Sequence, residues 1–282
     1  MGFSVHSMAG VNAALQHMDR LTRDTLEVQT RIATGLKVGS AKDNGTIWAL
    51  SQGMRAANGG RETAMRSIDT ASGVVEVALA AASGISDIMT EMKSKLVAAT
   101  DTGLDETSWR NLMGEYVALG NEMNRLVEAA SFNGLNLLEA GADDLDVLVG
   151  PDPGDTITIA AEDLTDGGGI VDVALTGALP YPDTSHILTQ PDQAMVATFE
   201  ASMESVNASV SRLGTSLRTL EVQKVLVQKQ ADVTEASIGH LVDADLGEES
   251  ARLNALMVQQ ELGMQALGIA NRAPSMILGF FR

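Results

Sequence analysis

The strongest constraint on this chain is a spacing rule: apolar residues recur at steps of three and four along several long stretches, two of them well separated on either side of the middle. Near the start, Val11, Ala14, Met18, Leu21, Thr25, Val28 and Ile32 obey the rule, and after the middle Phe199, Met203, Val206, Val210, Leu213, Leu217 and Leu220 obey it again. Alternating steps of three and four average about 3.5 residues, which keeps one narrow stripe of a helix turned toward a partner helix. Two further stripes predict helices over about 61–100 and 106–130. The first runs through Val75, Leu79, Ala82, Ile85, Met89, Met92 and Leu96, and its step from Ala82 to Ile85 interrupts the alternation. The second runs through Trp109, Leu112, Tyr116, Leu119, Met123, Leu126 and Ala130. A last helix is expected from about Leu246 to Ala270, with Leu253, Met257 and Leu267 on its seam and an end at Pro274.

The first helix should stop at Gly35, because Gly35, Gly39, Ser40, Asp43, Asn44 and Gly45 together read as a loop or corner. From Glu139 to Asp183 the chain is rich in Gly, Pro and Asp, with two short alternating runs, Thr156–Ala160 and Val171–Leu175. Alternation at period two flanked by Gly predicts a small β-hairpin or two. No Lys or Arg occurs between Arg125 and Arg212, so this insertion is expected to be a solvated acidic excursion. The fold class that follows is mainly α. An elongated antiparallel helical bundle or coiled coil is formed by the N- and C-terminal halves, with a small β-hairpin insertion between them.

Composition narrows the function classes. The formal charge of −18 opposes nucleic acid and anionic membrane as partners. There is no cysteine, hence no disulfide and no thiolate chemistry. The most apolar stretch, Val74–Ala82, is short and interrupted by Glu76, so no membrane span is expected. The first residues lack the basic segment and apolar run of a cleavable secretory signal.

Candidate sites are few. Asp143, Asp144, Asp146, Asp152 and Asp155 offer carboxylates to calcium, but their spacing misses the EF-hand pattern, and a solvated acidic loop is the expected state. His240 lies near Asp243 and Asp245 without a second ligand at helical spacing, which suits a turn followed by a new helix cap. Gly167, Gly168 and Gly169 lack the strand, helix and Lys of a phosphate cradle. With no nucleophile–base pair, ligand cluster or cofactor loop, the chain is expected to have no catalytic site and no cofactor. Its apolar stripes are the functional residues, because a thin bundle leaves them partly uncovered until other copies complete the burial.

Four segments are more specific: RIATGLKVGSAKDN (31–44), SFNGLNLL (131–138), GHLVDADLGEESARL (239–253) and QALGIANRAPSMIL (265–278). In order and spacing they resemble bacterial flagellins of the short form that lacks large outer domains. The resemblance covers roughly 10–140 and 200–282 and leaves the acidic insertion unmatched. Trp48 departs from the small residues that commonly follow the KDN element, and Phe280 and Phe281 add bulk at the end.

The resemblance implies a filament subunit with a terminal inner-layer domain (1–36 with 245–282), a rod-like helical domain (37–139 with 192–244) and an insertion (140–191). Val11, Met18, Leu21, Val28, Ile32, Leu213, Leu217, Leu220, Leu253, Met257 and Leu267 would be its assembly and seam residues, and Gly35, Lys42, Asp43 and Asn44 its loop motif. Its implied partners are itself as a helical homopolymer, other flagellins, a flagellar export chaperone, and hook-associated and cap proteins. Its implied location is the extracellular flagellum, reached by type III export without a cleaved signal. A hook–filament junction protein and a cytoplasmic coiled-coil scaffold are the alternatives. Replacing Leu213 by Asp places a charge in the seam and is expected to cost about 3–5 kcal/mol. A denaturation midpoint equal to that of the unaltered protein would refute the seam.

Overall fold

The computed structural model describes residues 9–167, 170–171 and 190–279, with side chains from 12 to 269 within those limits. Its described elements are helices α1 (Ala9–Thr34), α2 (Ala41–Ala99) and α3 (Glu106–Ala129), strands β1 (Leu145–Leu148) and β2 (Thr156–Ile159), and helices α4 (Gln193–Val242) and α5 (Leu246–Gly279). The class is mainly α with one small antiparallel sheet, as the spacing predicts. The chain divides into two compact units, Met1–Ala56 with Val233–Arg282, and Ala57–Asp232. The division falls inside α2 and α4 rather than at their ends. The reason is a cluster of Val38, Ile238 and Val242 with Ile47, Trp48 and Met54, which ties the start of α2 and the end of α4 to the corner beside them.

In the second unit α2 runs antiparallel to both α3 and α4. Lys93 meets Glu200 at 2.8 Å, Ser86 meets Asn207 at 2.8 Å and Asp69 meets Lys224 at 2.5 Å. Each step down α2 is matched by an equal step up α4, so the pair runs without a register slip. Lys95 with Glu115, and Gly84 with Leu126, show the same for α2 and α3. Exposed pairs of this kind mark the register and contribute little stability. The stabilising term is the core they flank, where Tyr116 and Phe199 meet with ring centroids 5.8 Å apart.

That core lies one position away from the expected stripes at alternate places. On α2 the buried seam runs through Ala64, Ile68, Ala71, Val75, Ala78, Ala82, Ile85, Met89, Met92, Leu96 and Ala99, an unbroken alternation of four and three, with Val74 buried beside it. The expected interruption arises from reading Leu79 as the seam residue. Ala78 holds the central position and Leu79 packs beside it, half-buried. On α3, Met113, Gly120 and Val127 are buried where Leu112, Leu119 and Leu126 were expected, and the leucines flank them. On α4, Ser202 and Ser209 are buried between Phe199, Val206 and Leu213, while Met203, Val210 and Leu217 flank. At Ala78, Gly120, Ser202 and Ser209 a small side chain holds the central place and larger ones pack beside it.

Three other expectations are corrected. First, α2 begins at Ala41 rather than near 61, because caps described below start it inside the presumed loop, and α5 continues past Pro274 to Gly279. Second, the strand paired with β2 is β1, in the register Leu145↔Ile159 to Leu148↔Thr156; Val171 makes only an isolated bridge to Asp166, and 172–175 lie outside the described residues. Third, the described part of the insertion is packed. Val147, Ile159, Leu164 and Val171 belong to the same core as the helices. At Gly60 a Cβ would lie 2.9 Å from Pro151 Cα, so the absent side chain is what lets the hairpin loop approach α2. Helix α2 also contains a window of mean hydropathy 1.4 that could cross a membrane by length and composition. Its Ala71, Val74, Val75, Ala78 and Ala82 are buried in this core instead.

The insertion is fastened to α4 by a buried carboxylate. Glu162, 4% exposed, accepts from Arg212 Nε and Nη2 at 2.6 Å each and from Ser209 Oγ at 2.9 Å. Burial alone would push the Glu162 carboxyl up. The hydrogen bonds from Arg212 and Ser209, with the Arg212 charge, outweigh it and hold the carboxyl below the ordinary glutamate value. A carboxyl lowered on folding stabilises most above its unfolded pKa, and that contribution is lost as pH falls through the lower folded value. Arg212→Ala, which strands the buried carboxylate, is expected to cost about 2–3 kcal/mol at neutral pH and less in acid. Equal losses at both pH values in denaturant titrations would count against the clasp.

Candidate assembly surface

In the first unit α1 and α5 lie antiparallel and share one seam. The α1 face expected from spacing is the inward one: Leu21, Thr25 and Val28 are buried, while Ala14, Met18 and Ile32 are half-buried. Leu256 is buried opposite, with Leu253 half-buried beside it. Met18 Sδ would lie 2.6 Å from a Cβ on Gly263, so the sulfur occupies the notch this glycine leaves. Leu267 is half-buried further along α5, and Met257 is exposed rather than on the seam. Leu213 and Leu220 are buried in the second unit, with Leu217 at its flank. The side chain of Val11 lies outside the described residues.

The end of α1 and the start of α5 are held by a pair of facing corners. Gly35, at φ 72°, turns the chain out of α1 in the left-handed region where a Cβ would be strained. Leu36 and Asp243 then form an antiparallel bridge. Lys37 N–H and Val38 N–H donate to the Val242 carbonyl, and Ala244 N–H donates to that of Gly35 at 2.8 Å. Asp245 accepts from the N–H groups of Gly247 and Glu248, which caps α5, so the turn is 243–245 and His240 lies in the last turn of α4. Arg31 Nη1 donates to Glu249 Oε1 at 3.0 Å across the two helices, and Glu249 is 7% exposed. That hydrogen bond raises the Arg31 pKa further and outweighs burial, with the Glu27 charge adding to it.

The loop motif proves to be a double cap. Asp43 accepts from Gly39 N–H, Ser40 N–H and Ser40 Oγ, closing a capping box over the first turn of α2. Those bonds, led by the two from Ser40, hold its carboxyl below the ordinary aspartate value. Asn44 is extended, at φ −159° and ψ 102°, and its Oδ1 accepts from Ile47 N–H at 3.1 Å, so the helix restarts with Asn44 as a second cap. Lys42 is exposed. The segment 131–138 is a turn device as well. Asn133 and Gly134 take positive φ between Phe132 and Leu135, which exchange two hydrogen bonds, and Asn136 Nδ2 donates to Val127 O near the end of α3.

What remains uncovered is the rest of α5. Seen along the helix, Met257 and Met264 stack on one face two turns apart, and Val258, Leu262 and Ile269 line another. Exposure reaches 60% at Met264 and 73% at Ile269. Leu15 and Leu26 are exposed on α1, and Leu246 at the start of α5. A helix apolar on several sides belongs inside an assembly, and α1 covers one side only. Among the described residues no three His, Cys, Asp or Glu side chains gather to hold a metal; Asp144 and Asp146 accept from Ala161 N–H and Thr158 Oγ1 within the hairpin. The clasp of Glu162, Ser209 and Arg212 escaped the sequence reading. Its one signal was Arg212 as the first cation after the long acidic stretch.

Such a chain belongs to the class of mainly helical structural proteins. Comparison with known proteins agrees: the family model for the bacterial flagellin N-terminal helical region matches residues 6–142, and that for the C-terminal helical region matches 196–281. Flagellin FljM of Caulobacter vibrioides is 35% identical over 279 residues, covering 99% of this chain and 98% of that protein, and flagellin FljJ of the same organism is 36% identical over 286 residues. A flagellin of Brucella melitensis is 29% identical over 289 residues, 99% of each chain. A crystal structure of Bacillus cereus flagellin aligns at 21% identity and TM-score 0.46 over 61% of this chain and 94% of that one. This chain belongs to the bacterial flagellin family, a family of structural proteins, and is a subunit of the flagellar filament.

The double cap makes a sharp distinction at Asn44. Asn44→Ala is expected to lower stability by about 1 kcal/mol, whereas Asn44→Asp, which keeps the acceptor, should lose a few tenths at most. Equal denaturation midpoints for the two variants would remove Asn44 from its capping role.

Proposed function

We propose that this flagellin polymerises by burying the outer faces of α5 and α1 against other copies, with the terminal helices as the inner layer of the filament. The observation that supports this most directly is the set of exposed apolar residues on α5, Met257, Val258, Leu262, Met264 and Ile269, which face away from the α1 seam. Leaving them in water costs about 25 cal/mol per Å2 of apolar surface, a cost that contact with neighbours removes. Met18, Leu21, Val28, Ile32, Leu253 and Leu267 hold the two helices in the orientation that presents those faces. Gly35, Lys42, Asp43 and Asn44 set the corner from which α1 departs.

The subunit acts by packing and carries no catalytic step. Before assembly the same apolar faces suit a helical export chaperone, and after it the ends of the polymer suit cap and hook-associated proteins. Export proceeds without cleavage, and the working location is outside the cell. Other flagellins that present the same seam are compatible neighbours in a mixed filament.

Removing Gln265–Arg282 separates a filament subunit from a scaffold. The shortened protein is expected to retain the thermal transition of the second unit and to form no filaments in electron micrographs under conditions where the full chain does. Filaments of ordinary length from the shortened chain would overturn the assignment of α5 to the assembly surface.

A further inference from the structure

Methionine is the only sulfur-containing residue in this chain, with 14 copies and no cysteine. The structure distributes the described thioethers very unevenly. Met89, Met92, Met113 and Met123 are buried in the second unit, Met65, Met195 and Met203 are half-buried beside them, and Met54 is half-buried at the corner. Met18 is half-buried with its sulfur in the notch of Gly263. Among the described residues only Met257, 55% exposed, and Met264, 60% exposed, offer their side chains openly to solvent. Both stand on one face of α5, seven residues apart, on the helix whose outer faces have no cover among the described residues of its unit.

We propose that Met257 and Met264 form an oxidation site that gates assembly: a peroxide converts their thioethers to sulfoxides in the free subunit, and the oxidised face no longer accepts a second copy. The inference rests on the proposed burial of the α5 outer face in the filament. A thioether sulfur lone pair attacks one oxygen of hydrogen peroxide; the S–O bond forms, the O–O bond breaks, and water leaves after proton transfer. The sulfur is oxidised by two electrons and the peroxide is reduced by two. A flexible apolar side chain becomes a polar, chiral acceptor. In the monomer water solvates that oxygen at no cost. Against the apolar face of a neighbour it finds no donor, so the penalty falls on assembly and spares the fold.

The same chemistry makes the effect one-sided in time. Assembled copies shield both sulfurs and resist the oxidant, whereas free copies are exposed to it. The full chain, treated with hydrogen peroxide and mapped by peptide mass spectrometry, should carry sulfoxide first at Met257 and Met264, with Met89, Met92 and Met123 unmodified. Its critical concentration for elongating fragments of its own filaments, read by sedimentation, should rise about tenfold or more. Methionine sulfoxide reductase should restore the starting value, and the Met257→Leu, Met264→Leu double variant, whatever its own critical concentration, should show no change in it on peroxide treatment. The reductase arm uses unaltered protein, so the test does not depend on that variant. Treated protein carrying both sulfoxides yet elongating at the original concentration would overturn the proposal, as would an equal loss in the treated double variant. Untreated protein that fails to elongate fragments would instead sink the assembly surface itself, and this proposal with it.

Discussion

A two-helix seam buries one stripe of each partner and no more, and most of this molecule's behaviour follows from that limit. In α1 the stripe through Leu21, Thr25 and Val28 is the one that meets α5, and much of the remaining surface is polar. In α5 the stripe through Leu253 and Leu256 meets α1, and the remaining surface is still apolar in two further directions. The asymmetry is chemical rather than geometric, since both helices have the same partner. A helix with surplus apolar surface lowers its free energy by finding more partners, and among the described residues of this unit none is available.

The same limit explains how the spacing rule was both right and displaced. It located the described helices because the alternation of three and four belongs to the backbone repeat, whichever side chains occupy it. It misplaced alternate seam positions in α2, α3 and α4 because the rule was applied to the largest apolar residues. Where helices approach closely, Ala78, Gly120 and Ser209 take the central places, and Leu79, Leu119 and Val210 fold over the edges. Alanine, glycine and serine carry almost no hydropathy signal, so only the packed structure distinguishes a central small residue from a solvent-facing one. In α1, where the central places hold Leu21 and Val28, the stripe was read without displacement.

The insertion was legible as β structure and illegible as core. Its acidic composition describes the solvent side of the hairpin faithfully: Asp144 and Asp146 are exposed, yet both accept hydrogen bonds that shape the hairpin. What composition conceals is the opposite side, where Val147 and Ile159 join the helical core, and the single buried carboxylate, whose partners lie 47 and 50 residues away on α4. Pairing over that separation leaves no local trace. A lone Glu among exposed acids is indistinguishable from its neighbours until a serine and an arginine are placed against it.

The family segments at 31–44 and 239–253 are equally instructive about what a motif encodes. Neither carries a reactive group. Their residues are caps, a left-handed glycine, a β-bridge and one ion pair, and nearly every contact made by the first segment is either internal or answered by the second. Gly35 and Leu36 meet Ala244 and Asp243, Val38 meets Val242, and Arg31 meets Glu249. Each of these bonds is worth on the order of 1 kcal/mol, small beside the apolar burial in either unit. Their importance is directional. They decide the angle at which α1 and α5 leave the corner, and hence which way the uncovered faces of α5 point. In a polymer every copy must present that surface in the same orientation, so a small error at the corner would be repeated at every contact along the filament.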